Sequence, residues 1–189
     1  MRRCLAMLAA LAALGGATAA AAEVVERSPD HFVLRYALAM EAPAEDVWAA
    51  VADISRWWNP AHTYSGDSAN LSLALVPGGC FCERLKDGTN FEHGLVREAD
   101  PGMGVSLDAP LGPLKGKAVV ARWEFGWTGS GGEVVMSYVV RGPGLGAFAD
   151  SVDGVMHDQY RRLIRYIDYG EPPADDAESG SGGEGPVSP

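Results

Sequence analysis

Two cysteines one residue apart, Cys80 and Cys82 in the stretch GGCFCE, stand out in a chain with only three. A strand sends residues two apart to one face, so the two thiols would be neighbours with Phe81 opposite. Three chemistries fit such a pair: small free thiols, a disulfide, or half of a metal clamp. In an extended strand their Cα atoms would stand roughly 6.5 Å apart, at the far edge of what a disulfide spans. Closing the bond would kink the strand, so the expectation is two buried free thiols. A zinc site needs more ligands than this pair supplies. His93 on the next strand could add one, but the chain holds no second cysteine pair and no H-x-E motif. No metal and no cofactor is expected.

The four histidines, His31, His62, His93 and His157, form no catalytic set by spacing. There is no G-x-S-x-G elbow from which a serine nucleophile could act. His62 and His93 are the two that could face a pocket. Glu83 and Glu92 fall on adjacent expected strands and could pair, although a solvated outer face is the expectation for both. GPGLGAFA (142–149) has the spacing of a dinucleotide-binding loop. No parallel strand with an acidic residue follows it, so its glycines read as a bend between a strand and a helix.

These groups must be positioned by the elements around them. Arg2 and Arg3, an apolar run from Cys4 to Leu14 and small residues through Ala22 have the order of a secretory signal. Residues 1–22 are therefore expected to be removed and the protein exported, to a periplasm or outside the cell, with no stable membrane anchor afterwards. The chain carries a net charge of −10, which loss of the two arginines would deepen. Such a surface argues against nucleic acid as the partner. Residues 171–189, EPPADDAESGSGGEGPVSP, hold too little apolar area to offset the entropy of ordering and read as a disordered tail. What remains, 23–170, suits a single domain.

Within it, HFVLRYALAM alternates, putting Phe32, Leu34, Tyr36 and Leu38 on one face. Pro43 opens a helical stretch with acids in its first turn and an apolar stripe of Val47, Trp48, Val51 and Ile54, ended by Asn59-Pro60. Strands are expected at 71–76, 80–85, 91–97, 105–107, 117–127 and 133–141, with TGSGGE as a hairpin turn. A helix from about Phe148 repeats apolar residues at three- and four-residue steps to Ile167 and stops at Gly170. The sum is α+β: a curved antiparallel sheet with two short helices and one long C-terminal helix.

The inner face of the sheet is unusually aromatic. Val119, Ala121, Trp123, Phe125 and Trp127 share a face of one strand, and Val134, Met136, Tyr138 and Val140 share a face of the next. Facing Met156 and Tyr160 of the long helix, Trp123, Phe125, Met136 and Tyr138 would form a concave surface that either packs as a filled core or walls a pocket. Trp57 and Trp58 either staple the first helices onto the sheet or, with His62 and Tyr64, roof the mouth of such a pocket, and His93 could face it.

APAEDVWAAVADISRWWNP, through Pro43, Val47, Trp48, Val51, Asp53, Trp57 and Trp58, resembles the opening of the START and birch-pollen-allergen superfamily, SRPBCC. VPGGCFCE and HGLVREADPGMGVSLD resemble strands of its branch related to heat-shock-protein ATPase activators and polyketide cyclases. VDGVMHDQYRRLIRY resembles the closing helix of that branch. The resemblance implies a helix-grip fold enclosing a cavity between sheet and helix. It also implies a small apolar or amphipathic molecule, lipid-like or aromatic, as the partner. The expected ligand contacts are Trp57, Trp58, His62, Tyr64, His93, Trp123, Phe125, Met136, Tyr138, Met156 and Tyr160. The alternatives are a cyclase- or hydrolase-type enzyme using His62, His93 or Glu92, and a chaperone-type interaction module.

Overall fold

A computed structural model describes residues 23–128 and 132–171. The expected signal, nearly all of the expected tail and the tip of the 128–133 hairpin lie outside them. Eight strands, β1 (Glu23–Ser28), β2 (His31–Met40), β3 (Leu71–Leu73), β4 (Cys80–Arg84), β5 (Asn90–Asp100), β6 (Gly104–Asp108), β7 (Val120–Trp127) and β8 (Gly132–Arg141), form one sheet. Its order is β1-β2-β8-β7-β6-β5-β4-β3, and every neighbouring pair is antiparallel. Helices α1 (Ala44–Ala52) and α2 (Ile54–Trp57) follow β2, and α3 (Ala149–Tyr169) is the last element among the described residues. The expected α+β helix-grip architecture is the one observed. No helix among the described residues is long and apolar enough to cross a membrane.

The alternation of β2, β7 and β8 sends one set of side chains inward. Phe32, Leu34 and Tyr36, Ala121, Trp123, Phe125 and Trp127, and Val134, Met136, Tyr138 and Val140 are all buried. Val119, expected on that face, precedes β7 and is 79 % exposed. Across this face lies the apolar stripe of α3, with Met156, Tyr160 and Leu163 at its centre. Removing each such side chain from water stabilises the fold by about 1.5–3 kcal/mol.

Polar tips of the aromatic residues fix how α3 sits on the sheet. The Tyr160 hydroxyl donates to the Val134 carbonyl at 2.7 Å, and that of Tyr36 donates to Asp153 Oδ1 at 2.7 Å. Tyr36 also stacks between Tyr160 and His157, at 5.5 and 5.7 Å. At the other flank Arg162 Nε donates to the Trp57 carbonyl, the Asn59 amide donates to Gln159 Oε1, and the Tyr166 hydroxyl donates to Asp53 Oδ2. The last contact falls where the first helical stretch divides. The two short helices expected from Pro43 onward divide at Asp53, which leaves helical geometry (φ −85, ψ 44) between α1 and α2.

Candidate functional site

The feature that places the site is a bulge in β5. Across from it, Phe81 pairs with Gly94 and Cys82 pairs with Glu92, so His93 is the extra residue. Strict alternation would send His93 outward with Leu95, which is exposed. The bulge instead turns His93 and Gly94 inward together, and both are buried. Re-aiming one side chain is a recurrent use of a bulge. Gly94 permits it: a Cβ there would lie 2.6 Å from both the Ala109 Cβ and the Asp108 carbonyl oxygen.

Opposite the bulge, β4 carries Phe81 and Glu83 inward. Glu83 is completely buried and accepts three hydrogen bonds: from the Ser65 amide at 2.5 Å, the Tyr64 amide at 3.1 Å and His93 Nε2 at 2.8 Å. Burial alone would raise its carboxyl pKa, but the bonds from Ser65, Tyr64 and His93 outweigh that and hold it below the usual value. Glu83 thus belongs to the interior, not to the solvated outer face expected for it. The strand period carried the signal, since Glu83 lies two residues from the apolar Phe81. Glu92 points to solvent, so the two carboxylates do not pair.

A carboxylate can only accept, so the proton on Nε2 belongs to His93 and the neutral ring leaves Nδ1 as a lone-pair acceptor. Desolvation pushes the His93 pKa down, and Lys115 pushes it the same way, against the pull of Glu83. The ring is also packed among aromatic residues. Phe81 stacks on it at 4.7 Å, Tyr64 at 5.6 Å, and Phe91 meets it edge-on at 5.0 Å.

His93 forms one wall of a cavity of about 370 Å³. Trp58, His62 and Tyr64 supply a second wall from the segment after α2, and Leu111 and Leu114 a third. Val152, Val155 and Met156 close it from the first half of α3. Trp58 is held there by its Nε1, which donates to the His62 carbonyl at 3.1 Å. Of the eleven expected contacts, Trp58, His62, Tyr64, His93 and Met156 come together around this space. Sequence reasoning missed Thr63, Leu111, Leu114, Ser151, Val152 and Val155. Val152 and Val155 fall on the apolar face of α3, whereas Leu111 and Leu114 sit in a loop with no periodic signal.

The other six expected contacts do not line this cavity. Trp57, Trp123, Phe125, Met136, Tyr138 and Tyr160 are at most 2 % exposed. Their rings fill the concavity by packing on one another: Trp123 lies 4.6 Å from Phe125, 5.7 Å from Trp58 and 5.8 Å from Phe81. The Tyr138 hydroxyl is already bound to the Ala109 carbonyl and the Leu111 amide. Trp123 Nε1 is buried without a partner among the described residues. The open space is therefore at the mouth of the grip, not along the centre of the sheet.

Cys80 and Cys82 are joined in a disulfide, contrary to the expectation of free thiols, and both are half-buried. The physical reason is that β4 is contracted at this pair: the two Cα atoms stand 5.4 Å apart, well within disulfide range, instead of the roughly 6.5 Å of an extended strand. Among the described residues no three His, Cys, Asp or Glu side chains gather as a metal site would require.

A larger hollow of about 510 Å³ lies on the outer face of the sheet, lined by Glu98, Asp100, Ser106 and Glu124 among others. Unlike the His93 cavity, it brings no histidine and buried carboxylate together among the described residues.

No family model and no curated protein matches the chain. Solved structures do. An uncharacterised protein of Rhizobium leguminosarum aligns with a TM-score of 0.54 at 16 % identity, over 76 % of this chain and 99 % of that one. The di-domain ARO/CYC BexL of the BE-7585A biosynthetic pathway aligns with a TM-score of 0.51 at 15 % identity, over 80 % of this chain and 53 % of that one. This chain thus spans about half of BexL. A protein of Nitrosomonas europaea aligns with a TM-score of 0.50 at 15 % identity, over 74 % of this chain and 96 % of that one. At these identities what is shared is the fold, and the fold is the helix grip.

Proposed function

We propose that the protein belongs to the SRPBCC superfamily, is exported, and holds a small apolar or amphipathic molecule in the cavity beside His93. The observation that carries this reading is the cavity itself. It is concave, walled mainly by Trp58, Tyr64, Leu111, Leu114, Val155 and Met156, and furnished with a few polar groups, His62, Thr63, His93 and Ser151. That combination is the general form of a small-molecule site. A volume of about 370 Å³ suits a molecule of one to three fused rings or a short acyl chain. The shared fold with BexL adds support, and the order of residues 1–22 supports export. The partner is a free small molecule; nucleic acid is disfavoured by the charge of the chain.

The test is native mass spectrometry of the protein purified from a host that exports it, followed by organic extraction. A bound mass that extraction releases, and that is absent from a variant with Val155→Trp filling the cavity, is the expected result. A protein that flies empty and is not stabilised by any member of a lipid and aromatic panel would refute the reading.

A second reading, an enzyme of cyclase or hydrolase type acting in the same cavity, is favoured by one observation. A titratable ring faces the cavity with its orienting carboxylate already in place at 2.8 Å.

A further inference from the structure

We propose that His93, oriented by Glu83, is a general base whose Nδ1 takes a proton from an uncharged aromatic or enolisable compound carrying an acidic C–H or O–H in the cavity. The inference rests on the reading that this cavity accepts an apolar small molecule, and names what is done to it there.

Four features carry it. Nε2 is committed to Glu83, which fixes the tautomer and leaves Nδ1 as the basic atom. Nδ1 has no partner among the described residues, yet it is not among the buried side-chain atoms left unpaired, which are Ser106 Oγ, Trp123 Nε1 and Gln159 Nε2. It therefore reaches open space, and the space the ring lines is the cavity. The aromatic packing by Phe81, Tyr64 and Phe91 prevents the ring from swinging away. Finally, the charged groups near the ring settle its state. Glu83 from β4 is an anion that stabilises the imidazolium formed by proton uptake, Lys115 from the 111–115 loop opposes it, and burial keeps the resting ring neutral. A base that rests neutral and has its counter-charge in place is ready to accept a proton at neutral pH. Glu83 touches no ligand and is a positioning residue.

The probe is 5-nitrobenzisoxazole, a small aromatic carbon acid. Nδ1 takes the proton from C3, the C–H electron pair becomes part of a nitrile, the N–O bond breaks, and the electrons leave on oxygen as a coloured phenolate. The imidazolium then gives its proton to solvent, so the balance needs no other reactant. Binding is read separately with 5-nitroindazole, an unreactive compound of the same shape, by equilibrium dialysis.

The expected result is saturable elimination that rises with pH and levels off, with a midpoint below the ordinary histidine pKa. His93→Phe, which keeps an aromatic ring among the three others, should bind 5-nitroindazole and lose about a hundredfold in rate. Glu83→Gln should move the midpoint further down, a shift that a merely structural role would not produce. ¹⁵N NMR of the His93 ring, which needs no ligand, should place the proton on Nε2. Elimination no faster than in buffer while 5-nitroindazole binds, a His93→Phe variant as fast as the parent, or a proton on Nδ1 would each overturn the base. Failure of both compounds to bind would overturn the cavity reading and the base with it.

Discussion

His93 on β5 and Glu83 on β4 meet at 2.8 Å inside the protein, on strands whose alternation alone would have kept them on opposite faces of the sheet. The meeting depends on the one-residue bulge at His93. It converts a surface histidine into a cavity wall and gives a buried carboxylate its third hydrogen bond.

Replacing Glu83 should be costly even without any ligand. Glu83→Gln presents an amide NH₂ to groups that are themselves donors, so at least one of the Tyr64 amide, the Ser65 amide and His93 Nε2 loses its acceptor. Leaving a buried polar group unpaired costs about 1–3 kcal/mol. Urea denaturation should show a loss of this size at neutral pH. An unchanged midpoint would mean that the carboxylate is not buried as described.

Acid should destabilise the protein in two stages. The folded pKa of His93 lies below its ordinary value of about 6.5. Below that value the unfolded chain therefore binds the proton more readily than the folded one. The stability contributed by the neutral ring is fully present above about pH 6.5 and is lost as pH falls. Glu83, also lowered, adds a second loss below its ordinary value of 4.5. Urea midpoints measured between pH 8 and pH 4 should fall from about pH 6.5 downward, and the upper stage should vanish in His93→Phe. A flat profile from pH 8 to pH 5 in the parent protein would contradict the state assigned to the ring.

The periodic elements were legible in the sequence, and the irregular ones were not. β2 begins and ends where HFVLRYALAM does, because ten alternating residues leave one register that buries the apolar set. The inner faces of β7 and β8 followed from the same rule. β1 was missed: Val25 is the extra residue at a register shift between Val24 and Glu26, which breaks the period. The bulge at His93 was illegible for a related reason, since it is fixed by the close approach of Gly94 to Ala109 across to β6, a tertiary contact. That one irregularity hid the meeting of His93 with Glu83. The aromatic inner face was read correctly as concave, but its rings fill the concavity, and the space opens at the mouth, beside Trp58, His62 and Tyr64, which were expected there, and beside loop 111–114, which no pattern marks.

Gly94→Ala tests the bulge directly. The new Cβ would meet the Ala109 Cβ and the Asp108 carbonyl oxygen, and the oxygen and the Ala109 backbone cannot move aside as a flexible side chain could. Overpacking of this kind costs about 1–3 kcal/mol, and the His93 ring resonances should shift with it. A variant of unchanged melting temperature and unchanged His93 spectrum would show that the strand does not need glycine there.

The Cys80–Cys82 bond predicts that the oxidised chain from Glu23 onward has no free thiol when unfolded, since the third cysteine is Cys4. A ring this small removes little chain entropy, so replacing both cysteines by serine should cost about 1–2 kcal/mol. Two titratable thiols in unreduced, unfolded protein would contradict the bond.

The account stands on the cavity beside His93, and titration with the neutral fluorophore N-phenyl-1-naphthylamine tests it most directly. The parent protein should give a saturable rise in emission at one probe per chain. Val155→Trp, which fills the space from α3, should weaken binding at least tenfold without lowering the melting temperature. No saturable binding by the parent protein, or equal binding by the filled variant, would contradict the account.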